Sequence, residues 1–270
     1  MADLYFLGNV DMGQMMGFVV KTKGKIIVID GGSKGDYIQL AELLKKEGQS
    51  HVDGWFFTHA DHDHTGSFSE ICKNEPDILV DKVYCNFPAF EDLYTHSRVD
   101  WETELWKHLE ELFSGQYNDK LCVVQKGDAF EFDEVKITIL RVYNPDIKEN
   151  FINNSSCVFR IDTPNSSVLI LGDLGIEGGR EVMENCFQES LHTEYTQMAH
   201  HGQAGVDEEF YKFIKPKRCF WAAPAWLWDN NNGLGVGSGP WQTLETRKWM
   251  ENLGVKEHFV EKDGTIKIEI

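Results

Sequence analysis

The 270-residue chain is 41 % apolar and 12 % aromatic, enough for a sizeable core, which excludes a disordered segment. Its 26 Lys and Arg stand against 44 Asp and Glu, a formal net charge of -18 spread along the whole length. So negative a surface repels polyphosphate, which excludes a protein that coats long DNA or RNA and leaves a small-molecule substrate as the expected partner, with no strong nucleic-acid binding.

Six cysteines (Cys72, Cys85, Cys122, Cys157, Cys186, Cys219) form no CxxC pair and no dense framework, and read as reduced thiols. The start Met1-Ala2-Asp3-Leu4 has no basic leader, and the longest apolar runs are far below the roughly 20 residues of a membrane span. A cytoplasmic location without membrane association is expected; oligomeric state is left open.

In chain order, apolar runs at Leu4–Gly8, Gly17–Val20 and Lys25–Ile29 predict strands, the last two joined as a hairpin by Lys21-Thr22-Lys23-Gly24. The hairpin stops at Asp30-Gly31-Gly32. Asp36 reads as the N-cap of a helix over Tyr37–Glu47, with Gly48 as terminator. Gly54–Thr58 is a buried strand by composition, and it runs out into the loop His59-Ala60-Asp61-His62-Asp63-His64-Thr65-Gly66. Arg98 to Ser114 places Trp101, Leu105, Trp106, Leu109, Leu112 and Phe113 at helical spacing, an inserted amphipathic helix.

The second half repeats that order. Cys157–Ile161 and Ser167–Leu171 flank a turn at Pro164-Asn165, Asp173 follows, then a helix over Arg180–Gln188, a strand over Tyr195–Ala199, and His200-His201-Gly202. Two sheets packed face to face with helices outside would bury such strands on both sides and bring both histidine loops to one edge. The expected fold is therefore α/β (α+β), a four-layer αββα sandwich of two mixed sheets flanked by helices, as one domain over 1–270. Trp221 to Trp241, with four tryptophans and three consecutive asparagines, reads as a long surface loop.

His59, Asp61, His62, Asp63 and His64 fall within six residues at the mouth of a strand. Imidazole nitrogen and carboxylate oxygen are the ligands that zinc, manganese and iron accept, and a loop can turn alternate residues into one cavity. Such alternation directs His62 away. Asp173, mirrored by Asp30, ends an apolar strand where a carboxylate can bridge two ions. Of His200 and His201, one is expected on the metal and the other facing substrate.

The order Asp30-Gly31-Gly32, Thr58-His59-x-Asp61-x-Asp63-His64-x-Gly66, Gly172-Asp173 and His200-His201-Gly202 resembles the metallo-β-lactamase superfamily across nearly the whole chain. Within it, HxDxDH, Asn153-Asn154-Ser155-Ser156 and HHG resemble the branch exemplified by the hydrolase domain of the bacterial competence channel (ComEC-like). Departures are Asp61 at the second HxH position, Asn153 and Asn154 where a histidine ligand is usual, and Ser238-Gly239-Pro240 where that branch has a late histidine.

The resemblance implies a metal-dependent hydrolase in which a metal-bound hydroxide attacks a small phosphoester or phosphodiester. The alternatives are an ester, thioester or lactone hydrolase of the same fold, and a metal-binding scaffold without turnover. It implies one or two divalent ions, zinc first and manganese or iron after it, on His59, Asp61, Asp63, His64, Asp173 and His200. Asp61, Asp63 and His201 would serve the chemistry, and His201, Asn154, Trp226 and Trp228 would face substrate. The tryptophans either pack the 221–241 loop onto the domain or line a lid.

Overall fold

The computed structural model describes residues 1–48 and 50–270. The first half lays down β1 (Asp3–Phe6), β2 (Gly17–Lys21), β3 (Ile26–Asp30), β4 (His51–Val52), β5 (Gly54–Phe56), β6 (Leu79–Val80), β7 (Val83–Cys85) and β8 (Leu121–Val123). Then come β9 (Ala129–Phe132), β10 (Val135–Arg141), β11 (Val158–Asp162), β12 (Ser167–Ile170), β13 (Tyr195–Gln197), β14 (Arg218–Trp221), β15 (Glu257–Val260) and β16 (Ile266–Glu269).

Two mixed seven-stranded sheets result, in the orders β16-β1-β2-β3-β5-β7-β8 and β15-β14-β13-β12-β11-β10-β9, with β4 and β6 forming a small separate ladder. In each sheet an antiparallel half joins a parallel half, at β3 beside β5 and at β12 beside β13.

The period of two along each strand builds the layers. In β3, Ile27 and Ile29 enter the cluster between the sheets, where Phe6, Phe18 and Phe56 meet Phe159, Ile170 and Phe220, while Val28 points outward. Behind the first sheet, Leu40 and Leu44 of α1 (Tyr37–Gly48), Phe68 and Ile71 of α2 (His62–Asn74), Leu93 of α3 (Phe90–Thr95) and Trp106 and Leu109 of α4 (Asp100–Ser114) cover Val28, Trp55 and Phe57. Behind the second, Val182, Phe210, Ile214 and Met250 from three later helices cover Val158, Leu169 and Trp221. Strands buried on both faces explain the continuous apolar runs. The four-layer αββα sandwich stands as expected from the sequence.

Two local expectations change, and the end of the chain divides between the sheets: β15 runs parallel to β14 in one, and β16 pairs antiparallel with β1 in the other, Leu4 opposite Ile268. The unpaired edge of β1 needs backbone partners, and the C-terminal strand supplies them. Trp221 closes β14 and Ala225–Trp228 is a helical turn, so the expected surface loop is confined to 229–242, where Leu234 and Val236 are exposed. Trp228 meets Trp221 edge-on at 5.3 Å and lies under the Arg247 guanidinium at 4.0 Å. The histidine loop, finally, is half helix.

All six cysteines are free. Among the described residues, no helix is long and apolar enough to cross a membrane.

Candidate metal centre

Strands that run parallel end together, and their carboxyl ends are where ligand-binding loops gather in α/β sheets. β3 ends at Asp30, β5 leads to Thr58 and His59, β12 leads to Asp173, and β13 leads to His200 and His201. After β5 the Asp61 carboxylate accepts the backbone N–H of His62 at 2.8 Å, an N-cap that starts α2 at once. Successive helical residues point about 100° apart. Asp63 and His64 therefore turn inward, while His62 lies edge-on to Trp101 at 4.6 Å.

Asp63, His64, Asp173 and His201 each offer one ligand atom, all within 4.8 Å of one another. Asp173 Oδ1 is 3.3 Å from His64 Nε2, Asp173 Oδ2 is 3.3 Å from His201 Nε2, and Asp63 Oδ2 is 3.0 Å from that same nitrogen. All four residues are buried, yet His64 Nε2, His201 Nε2 and Asp173 Oδ1 have no hydrogen bond of acceptable geometry. Buried polar atoms are seldom left so.

The other imidazole nitrogens show why. His64 Nδ1 donates to Asp30 Oδ2 at 2.8 Å, and His201 Nδ1 donates to the Ala222 carbonyl at 2.7 Å. Outer contacts of this kind hold a metal-binding histidine with Nε2 facing inward. Asp30 is itself held in position. Its φ is +56°, Oδ1 accepts from Thr58 N and Oδ2 from Thr58 Oγ1, each at 2.7 Å. The Thr58 hydroxyl has one proton, given to Asp30, so at 3.1 Å it accepts from His59 Nδ1 and leaves His59 Nε2 bare. The donor set of two imidazoles and two carboxylates suits a divalent ion of the zinc, manganese or iron type.

Charge is balanced here by protons. Burial disfavours an imidazolium at His64 and His201, but the carboxylates around them, Asp173 first, outweigh it and raise both pKa values well above the usual range. Burial likewise opposes the Asp173 carboxylate, and His201, His64 and His200 override it and hold it well below the carboxylate range. Burial and the nearby charge of His64 push His59 down to about 4, leaving it neutral. A divalent ion would replace the protons on His64 and His201. Calorimetric titration with Mn²⁺ in buffers of different ionisation enthalpy is expected to show proton release near neutral pH that declines as pH rises. Uptake without release would mean that the free protein already holds both imidazoles neutral.

The tandem histidines sit the other way round from the expected ligand set. His200 and His201 have φ of +50° and +58°, and Gly202 follows at +78° with its α-carbon so close to Trp221 that an added Cβ would lie 2.3 Å from the ring. This turn drives His201 into the group. His200 stays at its open side, Nε2 3.9 Å from Asp173 Oδ2 and Nδ1 donating to the Ala204 carbonyl at 3.0 Å. His59 Nε2 is also 3.9 Å from Asp173 Oδ2.

Asp61 lies outside the group, its carboxylate held by Arg98 through two 3.1 Å bonds. Asn154, expected on the substrate side, spends its amide within the fold: Oδ1 accepts from Gly175 N and Gly178 N, and Nδ2 donates to the Glu149 carbonyl and to Glu177 Oε2. Trp226 Nε1 donates to the Met12 carbonyl at 2.8 Å, and Trp228 packs beneath Arg247. Sequence reasoning assigns no place in the site to Asp30 or Arg98. The signal for Asp30 is its position at the end of a buried strand before two glycines; Arg98 leaves none.

Residues 13–80 match the family model described as the metallo-beta-lactamase superfamily. Over that stretch, about a quarter of its length, the chain is similar to that superfamily. The ComEC-like branch is supported by ComE operon protein 3 of Bacillus subtilis, 27% identical over 187 residues. That stretch is 68% of this chain and 21% of the relative, so the chain spans about a fifth of the relative's length. Among solved superfamily-like structures, YhfI from Bacillus subtilis covers all of both chains with a TM-score of 0.57 at 12% identity. A diphosphatase from the PhnP family covers 100% of this chain and 98% of its own, with a TM-score of 0.53 at 15% identity. Both likenesses are of fold.

Proposed function

We propose that this chain hydrolyses a small phosphoester or phosphodiester with a divalent ion held by Asp63, His64, Asp173 and His201. The observation that carries the reading is the convergence of four buried donors, of which His64 Nε2, His201 Nε2 and Asp173 Oδ1 lack hydrogen-bond partners while the outer nitrogens of the two imidazoles are anchored. Bound there, a divalent ion supplies Lewis acidity and a water acidified toward neutrality. The full-length likeness in fold to a diphosphatase supports phosphorus over carbonyl substrates.

The chain's own groups divide the remaining work. Asp30 and the Ala222 carbonyl hold the two imidazoles in place, so no reorganisation is needed during reaction. His200, its side chain 20% exposed, stands at the open side with Nδ1 anchored and Nε2, 3.4 Å from Asn153 Nδ2, placed to take a proton from substrate. An anionic ester meets an acidic protein whose local charge a bound cation offsets.

The test is metal analysis followed by assay against bis(p-nitrophenyl) phosphate, a phosphomonoester, a thioester and a lactone. Turnover of a phosphoester that chelation removes and metal restores is expected. Turnover of the thioester or lactone alone would move the substrate to the carbonyl class. A metal-loaded protein inert to all four would make the chain a scaffold.

A further inference from the structure

Beside the four-donor group lies a second, incomplete one. His59 Nε2 and His200 Nε2 each stand 3.9 Å from Asp173 Oδ2, and His59 Nε2 is fully buried with no hydrogen-bond partner. Asn153, whose Nδ2 is 3.4 Å from His200 Nε2, has its own Oδ1 unpartnered. What the group lacks is a second carboxylate.

Asp61 is the carboxylate at hand: it is buried, two residues from His59, and lines one cavity with Asn153. It is already taken. Arg98 Nη2 donates to both of its oxygens at 3.1 Å, and the His62 backbone N–H takes Oδ1 at 2.8 Å. Arg98 is itself fixed by Glu102, which accepts from the Arg98 backbone N–H at 2.7 Å and from Nε at 3.0 Å. Glu102 is 2% exposed, so one guanidinium is the shared counter-charge of two carboxylates that water hardly reaches, with the His62 ring nitrogen Nδ1 also 2.9 Å from Asp61 Oδ1. Arg98, at 59% side-chain exposure, fronts a cavity of about 160 Å³ lined also by Asp61, His96, Phe151 and Asn153.

We propose that Arg98 is a built-in cation that withholds Asp61 from the second group, so that the chain takes one divalent ion, and that removing its guanidinium opens a second cation position on His59, Asp61, Asp173 and His200. The inference rests on the metal reading above. A guanidinium and a divalent ion repel each other, and neither can share the same pair of carboxylate oxygens with good geometry. Because α4 and the turn before it present Arg98, the insertion between the two halves sets the metal count of a site built by the sheets.

The test uses the full chain, loaded with Mn²⁺ and dialysed, as wild type, Arg98→Lys, Arg98→Met, Arg98→Gln and the double variant Arg98→Met with Asp61→Asn. Bound manganese is counted by elemental analysis, and paired ions are detected by their spin-coupled resonance spectrum. Wild type and Arg98→Lys are expected to hold one ion per chain, Arg98→Met and Arg98→Gln two with the coupled spectrum, and the double variant one. Two ions on wild type, or one on both uncharged variants, would overturn the inference while leaving the metal reading intact. No ion on any form, wild type included, would overturn the metal reading and this inference with it.

Discussion

Asp173→Ala is expected to yield a chain that keeps its secondary structure, retains no divalent metal after dialysis and loses turnover by roughly a thousandfold or more, since a metal ion supplies several kcal/mol to the reaction. The reason is position. The carboxylate is 2% exposed, and the Nε2 atoms of His59, His64, His200 and His201 all lie within 3.9 Å of its oxygens. Other residues of the group can be lost with part of the field intact; this one serves every imidazole. Its removal also leaves His64 and His201 without their main counter-charge, a change that typically costs about 3–5 kcal/mol for a buried pair unless the imidazoles shed their protons. Elemental analysis, circular dichroism and a turnover assay check the three parts. Retained metal would place the centre elsewhere.

Asp30→Asn tests the outer layer. Asp30 offers no atom to the ion, but its Oδ2 takes both the His64 Nδ1 proton and the Thr58 hydroxyl proton, and its Oδ1 takes Thr58 N. An asparagine can keep the shape and accept at one end only, and it loses the charge that sharpens the His64 base. Metal affinity or activity is expected to fall about 10–100-fold, the usual effect of an outer-shell carboxylate, while Kd for Mn²⁺ is read by competition with a chelator. The melting temperature of the metal-free protein should fall as well, because at pH 7 the raised His64 pKa reports an ion pair with Asp30 among others. That contribution is full below the unfolded histidine pKa near 6.5 and is lost as pH rises through the higher folded value. Unchanged affinity would show that Thr58 and packing alone orient His64.

Much of this could be read from the chain alone, for local physical reasons. The continuous apolar run Ile26–Ile29, the glycines after Asp30 and the repeated order of hairpin, acid, helix, strand and histidine are each encoded locally. They were enough for the sandwich and for bringing Asp63, His64 and Asp173 to one edge. The start of α2 is also written locally, in Asp61 as an N-cap. β7 and β8 are not legible in the sequence because three-residue strands carry too little pattern, nor is β9, whose residues are mostly exposed.

What the tertiary structure alone decided are choices between equals. His200 and His201 are identical side chains next to each other; the +50° and +58° backbone turn selects between them, and it is held by the His200 N–H on the Gly172 carbonyl and by Trp221 against Gly202. Arg98 finds Asp61 across 37 positions because α4 is anchored by Trp106 Nε1 on the Ala60 carbonyl at 2.7 Å. β16 leaves β15 for β1, more than 260 residues away, because the open edge there needs hydrogen-bond partners. Each of these rests on contacts between distant segments, whose energies no window of sequence contains; hydrophobic period and capping chemistry act within a turn or two, and there the sequence by itself was sufficient.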